Sequence, residues 1–92
     1  MYILRIEHPV QNYDGWKKAF GSDPIGRKKS GVRHYRIMRS VDDPNYIMID
    51  LEFDSASAAK AAHAALLKLW SNVDVMRNPQ ARSVELIEEG DY

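Results

Sequence analysis

Residues 46–53 read YIMIDLEF, and their alternation restricts the fold of this chain more than any other stretch does. The odd positions, Ile47, Ile49, Leu51 and Phe53, are uniformly apolar, whereas the even positions run Tyr46, Met48, Asp50 and Glu52. A period of two marks a β-strand with one buried face. The odd face therefore needs a covering layer. The two carboxylates on the other face must look at water, a partner chain or a substrate.

The preceding residues narrow that choice. Between Arg27 and Arg39 there are six basic residues and no acid, and between Asp42 and Asp54 five acids and no base. The sequence VDDPN between the two blocks has turn chemistry. A hairpin that sets Arg36 against Asp50 also brings His34 to Glu52, Met38 to Met48, Ile37 to Ile49 and Tyr35 to Leu51. A slip of one residue would oppose apolar and charged positions throughout, so this register is selected. Exposed cross-strand ion pairs contribute about 0.2–1 kcal/mol each, enough to choose a register but not to hold a fold.

The remaining elements follow from periodicity. Tyr2 to His8 alternates as a strand, with Leu4 and Ile6 on one face and Ile3, Arg5 and Glu7 on the other. Asn12 suits an N-cap, and Tyr13, Trp16 and Phe20 recur at helical spacing, which predicts a helix over 13–20. Asp23-Pro24 reads as an N-cap followed by a proline at the first helical position, giving a turn or two over 24–29 before Gly31. A strand is expected from Val32 to Arg39. After Asp54 or Ser55 as cap, SASAAKAAHAALLKLW favours a helix over 56–70 with a core stripe of Ala58, Ala61, Ala62, Ala65, Leu66 and Leu69. A loop with Asn78-Pro79 leads to a last strand from Arg82 to Glu88.

The order is thus βαββαβ over one domain, residues 1–92: an α+β, ferredoxin-like fold with a four-stranded antiparallel sheet and both helices on one face. A chain of this size buries only about 60–65% of its unfolded surface, so a partner subunit would add useful stability. The open sheet face is expected to carry His34, Arg36, Asp50, Glu52, Arg5, Glu7, Ser83 and Glu85 beside the apolar Ile3, Tyr46, Met38, Met48 and Ile87. That mixture is too apolar for a merely solvated surface and points to an isologous homodimer, with Asp50, Glu52, Arg36, His34 and Met48 in its interface.

Bulk composition removes several function classes. Thirteen basic residues balance thirteen acidic ones, which argues against nonspecific nucleic-acid or membrane-surface binding. An RNA-recognition role also conflicts with Asp50 and Glu52 on the open face, where bases would stack. The chain has no cysteine, hence no disulfide, thiolate site or cysteine nucleophile. No apolar run has the length of a signal or a membrane span, and the expectation is a soluble, cytoplasmic protein. His8, His34 and His63 share no HxH or HxxxH spacing, so no metal site is expected.

The segments EHPVQNYDGWKKAF and GRKKSGVRHYRIMRSVDDPNYIMIDLEFDS, the alanine-rich helix ending in LW, and the closing RNPQARSVELIEE together resemble a small bacterial protein of the dimeric α+β barrel superfamily. That superfamily includes antibiotic biosynthesis monooxygenase-like and cyclase-like proteins. The resemblance implies a homodimer whose sheets join through their open faces into a barrel, with a ligand cleft between sheet and helices in each subunit. It further implies a cofactor-independent monooxygenase or cyclase-like activity on a small aromatic compound. The alternative is a noncatalytic dimeric protein that binds a small ligand or serves an accessory role.

By that resemblance His63, Trp70, Trp16 and Tyr35 are the candidate cleft residues. Read from the residues alone, the flank carrying His63, Leu67 and Trp70 is a cleft wall, a subunit contact or plain surface. The aromatics Tyr13, Trp16, Phe20, Tyr35 and Phe53 are core or a ligand box. Asp50 and Glu52 are an acid–base pair only if their environments separate their pKa values, and Arg36, Arg5 and His34 favour ion pairing instead. No catalytic residue is assigned.

Overall fold

The computed structural model describes residues 1–71 and 79–92. Four strands, β1 (Tyr2–Pro9), β2 (His34–Arg39), β3 (Tyr46–Phe53) and β4 (Gln80–Glu85), form one antiparallel sheet in the order β2-β3-β1-β4. Two helices, α1 (Tyr13–Gly21) and α2 (Ala56–Trp70), complete the α+β, ferredoxin-like fold. The β2–β3 register is the one the charge blocks select, from His34 opposite Glu52 to Met38 opposite Met48.

The apolar alternation of β3 defines the core. Ile47, Ile49, Leu51 and Phe53 are buried with Leu4 and Ile6 of β1, Trp16 of α1, and Ala59, Ala62 and Leu66 of α2. Both helix starts are closed by side chains: Asn12 Oδ1 accepts from the Gly15 N–H at 2.9 Å, and Ser55 Oγ from the Ala58 N–H at 3.1 Å. Each cap satisfies an orphan donor, worth about 1 kcal/mol.

The structure corrects the sequence reading at four places. The buried stripe of α2 is Ala59, Ala62 and Leu66, flanked by Ala58, Leu69 and Trp70, while Ala61 and Ala65 are exposed. Alanine on nearly every face carries no phase information, so the larger side chains set the rotation. Strand β4 begins earlier than expected, at Gln80, and stops at Glu85, opposite the first residue of β1, Tyr2; one further bond follows, from the Leu86 N–H to the Met1 carbonyl at 2.9 Å. Its parity is also reversed. Ser83 lies opposite Leu4 and Glu85 opposite Tyr2, so these two belong to the helix side, whereas Arg82 and Val84 pair with Arg5 and Ile3 on the open side. Ile87, beyond the strand, is exposed.

Asp23, third, is not an N-cap. It adopts a left-handed backbone (φ 54°), so Asp23-Pro24 starts no helix, although residues 24–29 do form turns. Gly26, also left-handed at φ 64°, interrupts the helical path there. Fourth, β2 starts at His34, because the Val32 N–H is taken by the Arg27 carbonyl at 2.9 Å. Of the expected loop, Asn78 lies outside the described residues.

Candidate functional site

The first place to look for chemistry is the carboxylate pair of β3, and its geometry is that of an ion-pair cluster. Arg5 donates to Asp50 through Nε and Nη2, both at 3.0 Å, and Arg36 bridges Asp50 (3.3 Å) and Glu52 (2.8 Å). Asp50 is only 2% exposed within the subunit. Burial alone would raise its pKa; the hydrogen bonds and charges of Arg5 and then Arg36 outweigh that and hold it below the ordinary carboxylate value. A carboxylate held ionised by two guanidinium groups is a poor proton shuttle. On the same face Tyr46 donates to Glu7 at 2.7 Å, and that hydrogen bond raises the phenol's pKa.

Space for a ligand lies on the opposite side of the sheet. A cavity of about 250 Å³ opens between the sheet, α1 and α2, lined by Ile6, Ile49 and Leu51 from the strands, Trp16, Ala19 and Phe20 from α1, and Leu66, Leu69 and Trp70 from α2. The loop after α1 completes the wall with Ser22, Pro24, Ile25 and Arg27. Helix α2 reaches the cavity through Leu66, Leu69 and Trp70, near its C-terminal end. A smaller space of about 170 Å³ lies beside Val10, Gln11, Asn12 and Gly15, and Trp16 and Ala19 border both.

Trp16 is the centre of an aromatic row. Its ring stacks on Phe20 with centroids 5.2 Å apart, leans on Tyr13 at 6.0 Å, and meets His8 edge-on at 6.3 Å. Phe20 in turn contacts Tyr35 at 5.5 Å. His8 is fully buried, with Nδ1 3.1 Å from the Pro9 carbonyl and Nε2 without a partner among the described residues. Burial pushes its pKa below the ordinary 6.5, so it stays neutral.

Of the four cleft candidates, Trp16 and Trp70 stand on the cavity wall. Tyr35 is 47% exposed behind Phe20, and half-buried His63 is not a lining residue. With the buried stripe at Ala59 and Leu66, His63 sits at its margin, not on a separate flank. Phe20, one of the aromatics read as core or a ligand box, also stands on the wall. Arg27 and Ile25 carry no spacing signal for a cleft; Arg27 lies within the basic block, and only the Asp-Pro and Gly punctuation around it hints at a shaped loop. Among the described residues no group of three or more His, Asp or Glu is placed to hold a metal ion. No helix there is long and apolar enough to cross a membrane.

No protein-family model matches the chain, and no curated protein matches it in sequence. Solved structures do match in three dimensions. A mutant of SnoaB, a cofactor-independent oxygenase from Streptomyces nogalater, superposes with a TM-score of 0.76 at 11% identity, covering 96% of this chain and 94% of the other. The fold is that of the antibiotic biosynthesis monooxygenase-like proteins. A putative member from Bordetella bronchiseptica gives 0.71 at 12% identity over 95% and 98% of the two chains. A dimeric ferredoxin-like protein from an uncultured marine organism gives 0.70 at 10% identity over 97% of each. A mutant of MhuD, crystallised with two manganese protoporphyrins per active site, gives 0.73 at 13% identity over the full length of both.

Proposed function

We propose that this chain is one single-domain subunit of a homodimer, and that each subunit takes a small, flat, largely apolar molecule between its sheet and helices. The observation that carries this reading is the 250 Å³ cavity faced by Trp16, Phe20 and Trp70. Ligand pockets are mostly apolar and concave, typically upward of about 300 Å³ for drug-sized compounds, so this one suits a body of about two fused rings. Tryptophan and phenylalanine supply polarizable faces against which an aromatic ring stacks. The described wall residues include no histidine to ligate iron.

The reaction best supported by the likeness to SnoaB is cofactor-independent, monooxygenase-like chemistry on an electron-rich aromatic compound, with the subunit excluding water and orienting the ring. One observation favours the noncatalytic alternative: the described wall residues include no carboxylate or imidazole to act as a general base. Oxygen uptake with 2-naphthol, without added metal or cofactor, separates the two. Saturable binding with oxygen consumption supports the enzyme, saturable binding without it the carrier, and no saturable binding contradicts both.

The dimer is proposed to form through the open sheet face, where Met38 and Met48 pair at half-buried positions and Ile3 and Val84 lie opposite one another. Because Arg5, Arg36, Asp50 and Glu52 pair within one subunit, a second copy would cover charges that already have partners. Light scattering at micromolar concentration should give about twice the 10.6 kDa chain mass, and a monomer would remove this assembly.

A further inference from the structure

Among the described residues the larger cavity has one charged group on its wall, Arg27, contributed by the loop between α1 and β2. Its side chain is only 20% exposed. The guanidinium carbon lies 3.8 Å from the Phe20 ring centroid and 5.4 Å from that of Tyr35. Nη1 donates to the Phe20 carbonyl at 2.7 Å and stands 3.5 Å from Asp23 Oδ1. Nε and Nη2 have no partner among the described residues. A guanidinium has five N–H donors in a planar fork, so this largely buried head retains capacity for an acceptor.

The loop is built to hold that group in place. Asp23 is the one residue other than glycine with positive φ among the described residues, a conformation that L-residues adopt only at a cost. In that conformation its Oδ1 accepts the Arg27 backbone N–H at 2.8 Å while approaching the Arg27 side chain. Downstream, the Val32 N–H donates to the Arg27 carbonyl at 2.9 Å, and Ser30 Oγ donates to the Ile25 carbonyl at 2.8 Å. Arg27 is thus held at its N–H, its carbonyl and its stacked head. Ser22 donates its hydroxyl to the Ala19 carbonyl at 2.6 Å, so among the described wall residues Arg27 is the cation that can meet an acid.

We infer that Arg27 is the specificity-determining residue of this cavity and that its ligand is an aromatic acid: an apolar ring body against Trp16 and Trp70, with a carboxylate paired to the free edge of the Arg27 fork. The inference rests on the reading of the cavity as a ligand site and adds the charge of the ligand. Pairing of a carboxylate with a guanidinium is bidentate and charge-assisted, and a neutral isostere cannot reproduce it.

Equilibrium dialysis of the full chain at neutral pH against naphthalene-2-carboxylate and naphthalene-2-carboxamide tests this. The wild type should bind the acid about tenfold or more tighter than the amide. Arg27→Met, which keeps an apolar stem on Phe20, should abolish the preference, read as the ratio of the two affinities. Where Arg27→Met fails to fold, Arg27→Lys serves: it keeps the charge but not the fork, and should lose at least half of the preference. Equal affinity of the wild type for both compounds overturns the role of Arg27 and leaves the cavity reading standing. A preference that survives in a folded Arg27→Met protein, or undiminished in Arg27→Lys, also overturns it. If neither compound binds the wild type, the cavity reading fails and this inference fails with it.

Discussion

The two faces of the sheet satisfy their side chains in different ways. On the helix side, Leu4, Ile6, Ile47, Ile49, Leu51 and Phe53 are buried by contact with apolar neighbours, and one region of that contact is left incomplete as a cavity. On the open side, Asp50 is buried just as deeply, yet by charge: two arginines cover and neutralise it. The comparison teaches that depth of burial says little about role. The face with the chemically conspicuous residues is locked in ion pairs, while the face with chemically plain residues holds the space.

The comparison can be broken from the core outward. Phe53→Ala should have the largest effect, about 3–5 kcal/mol of lost stability, because a fully buried ring is replaced by a cavity. Urea unfolding measures it. Asp50→Asn should cost about 2–3 kcal/mol in the same experiment, since buried hydrogen bonds to a charged group are lost and two guanidinium groups lose their common partner. A cost of only a few tenths would show that the open face is held by something other than this cluster. Because Asp50 is buried within the subunit, reversing its charge would damage the subunit as well as any dimer.

Acid sharpens the comparison on the helix side. His8 has its pKa lowered by burial, so below about 6.5 an unfolded chain takes up a proton that the folded one refuses. Stability from His8 is therefore fully present above that pH and falls as the pH drops, with a limiting slope of about 1.4 kcal/mol per pH unit. Between pH 7 and 5 stability should fall, and His8→Leu should flatten that part of the curve. Asp50, whose pKa is lowered, adds a second loss only at pH values below about 4, as the unfolded carboxylate protonates first. The smallest effect on the subunit itself is expected from Met48→Lys. It should change unfolding stability by less than about 1 kcal/mol at low concentration, yet shift light scattering from dimer to monomer by placing an unpaired charge in the proposed interface.

Much of the fold was legible because two independent signals coincided in the central hairpin. The alternation of β3 named its buried face, and the charge blocks named its register. Where only one weak signal existed, the reading drifted. In α2 alanine occupies both buried and exposed positions, so composition determined a helix without its rotation. In β4 the sequence QARSVELIEE offers apolar residues on both parities, and pairing with β1 alone decides that Ala81 turns inward and Val84 outward. The cavity was half legible. Trp16 and Trp70 drew attention as aromatics, but Arg27 and Ile25 reach the wall through a left-handed Asp23 that no periodicity reports.

The central claim is that the space between Trp16 and Trp70 takes a small aromatic molecule. These are the only two tryptophans in the chain, so their indole N–H signals report on it directly. In a titration of nitrogen-15-labelled protein with 2-naphthol followed by two-dimensional NMR, both indole signals should shift saturably with one ligand per chain, while the amides of Arg36 and Met48 stay in place. Unmoved indole signals, or saturable shifts confined to the open sheet face, would contradict the account.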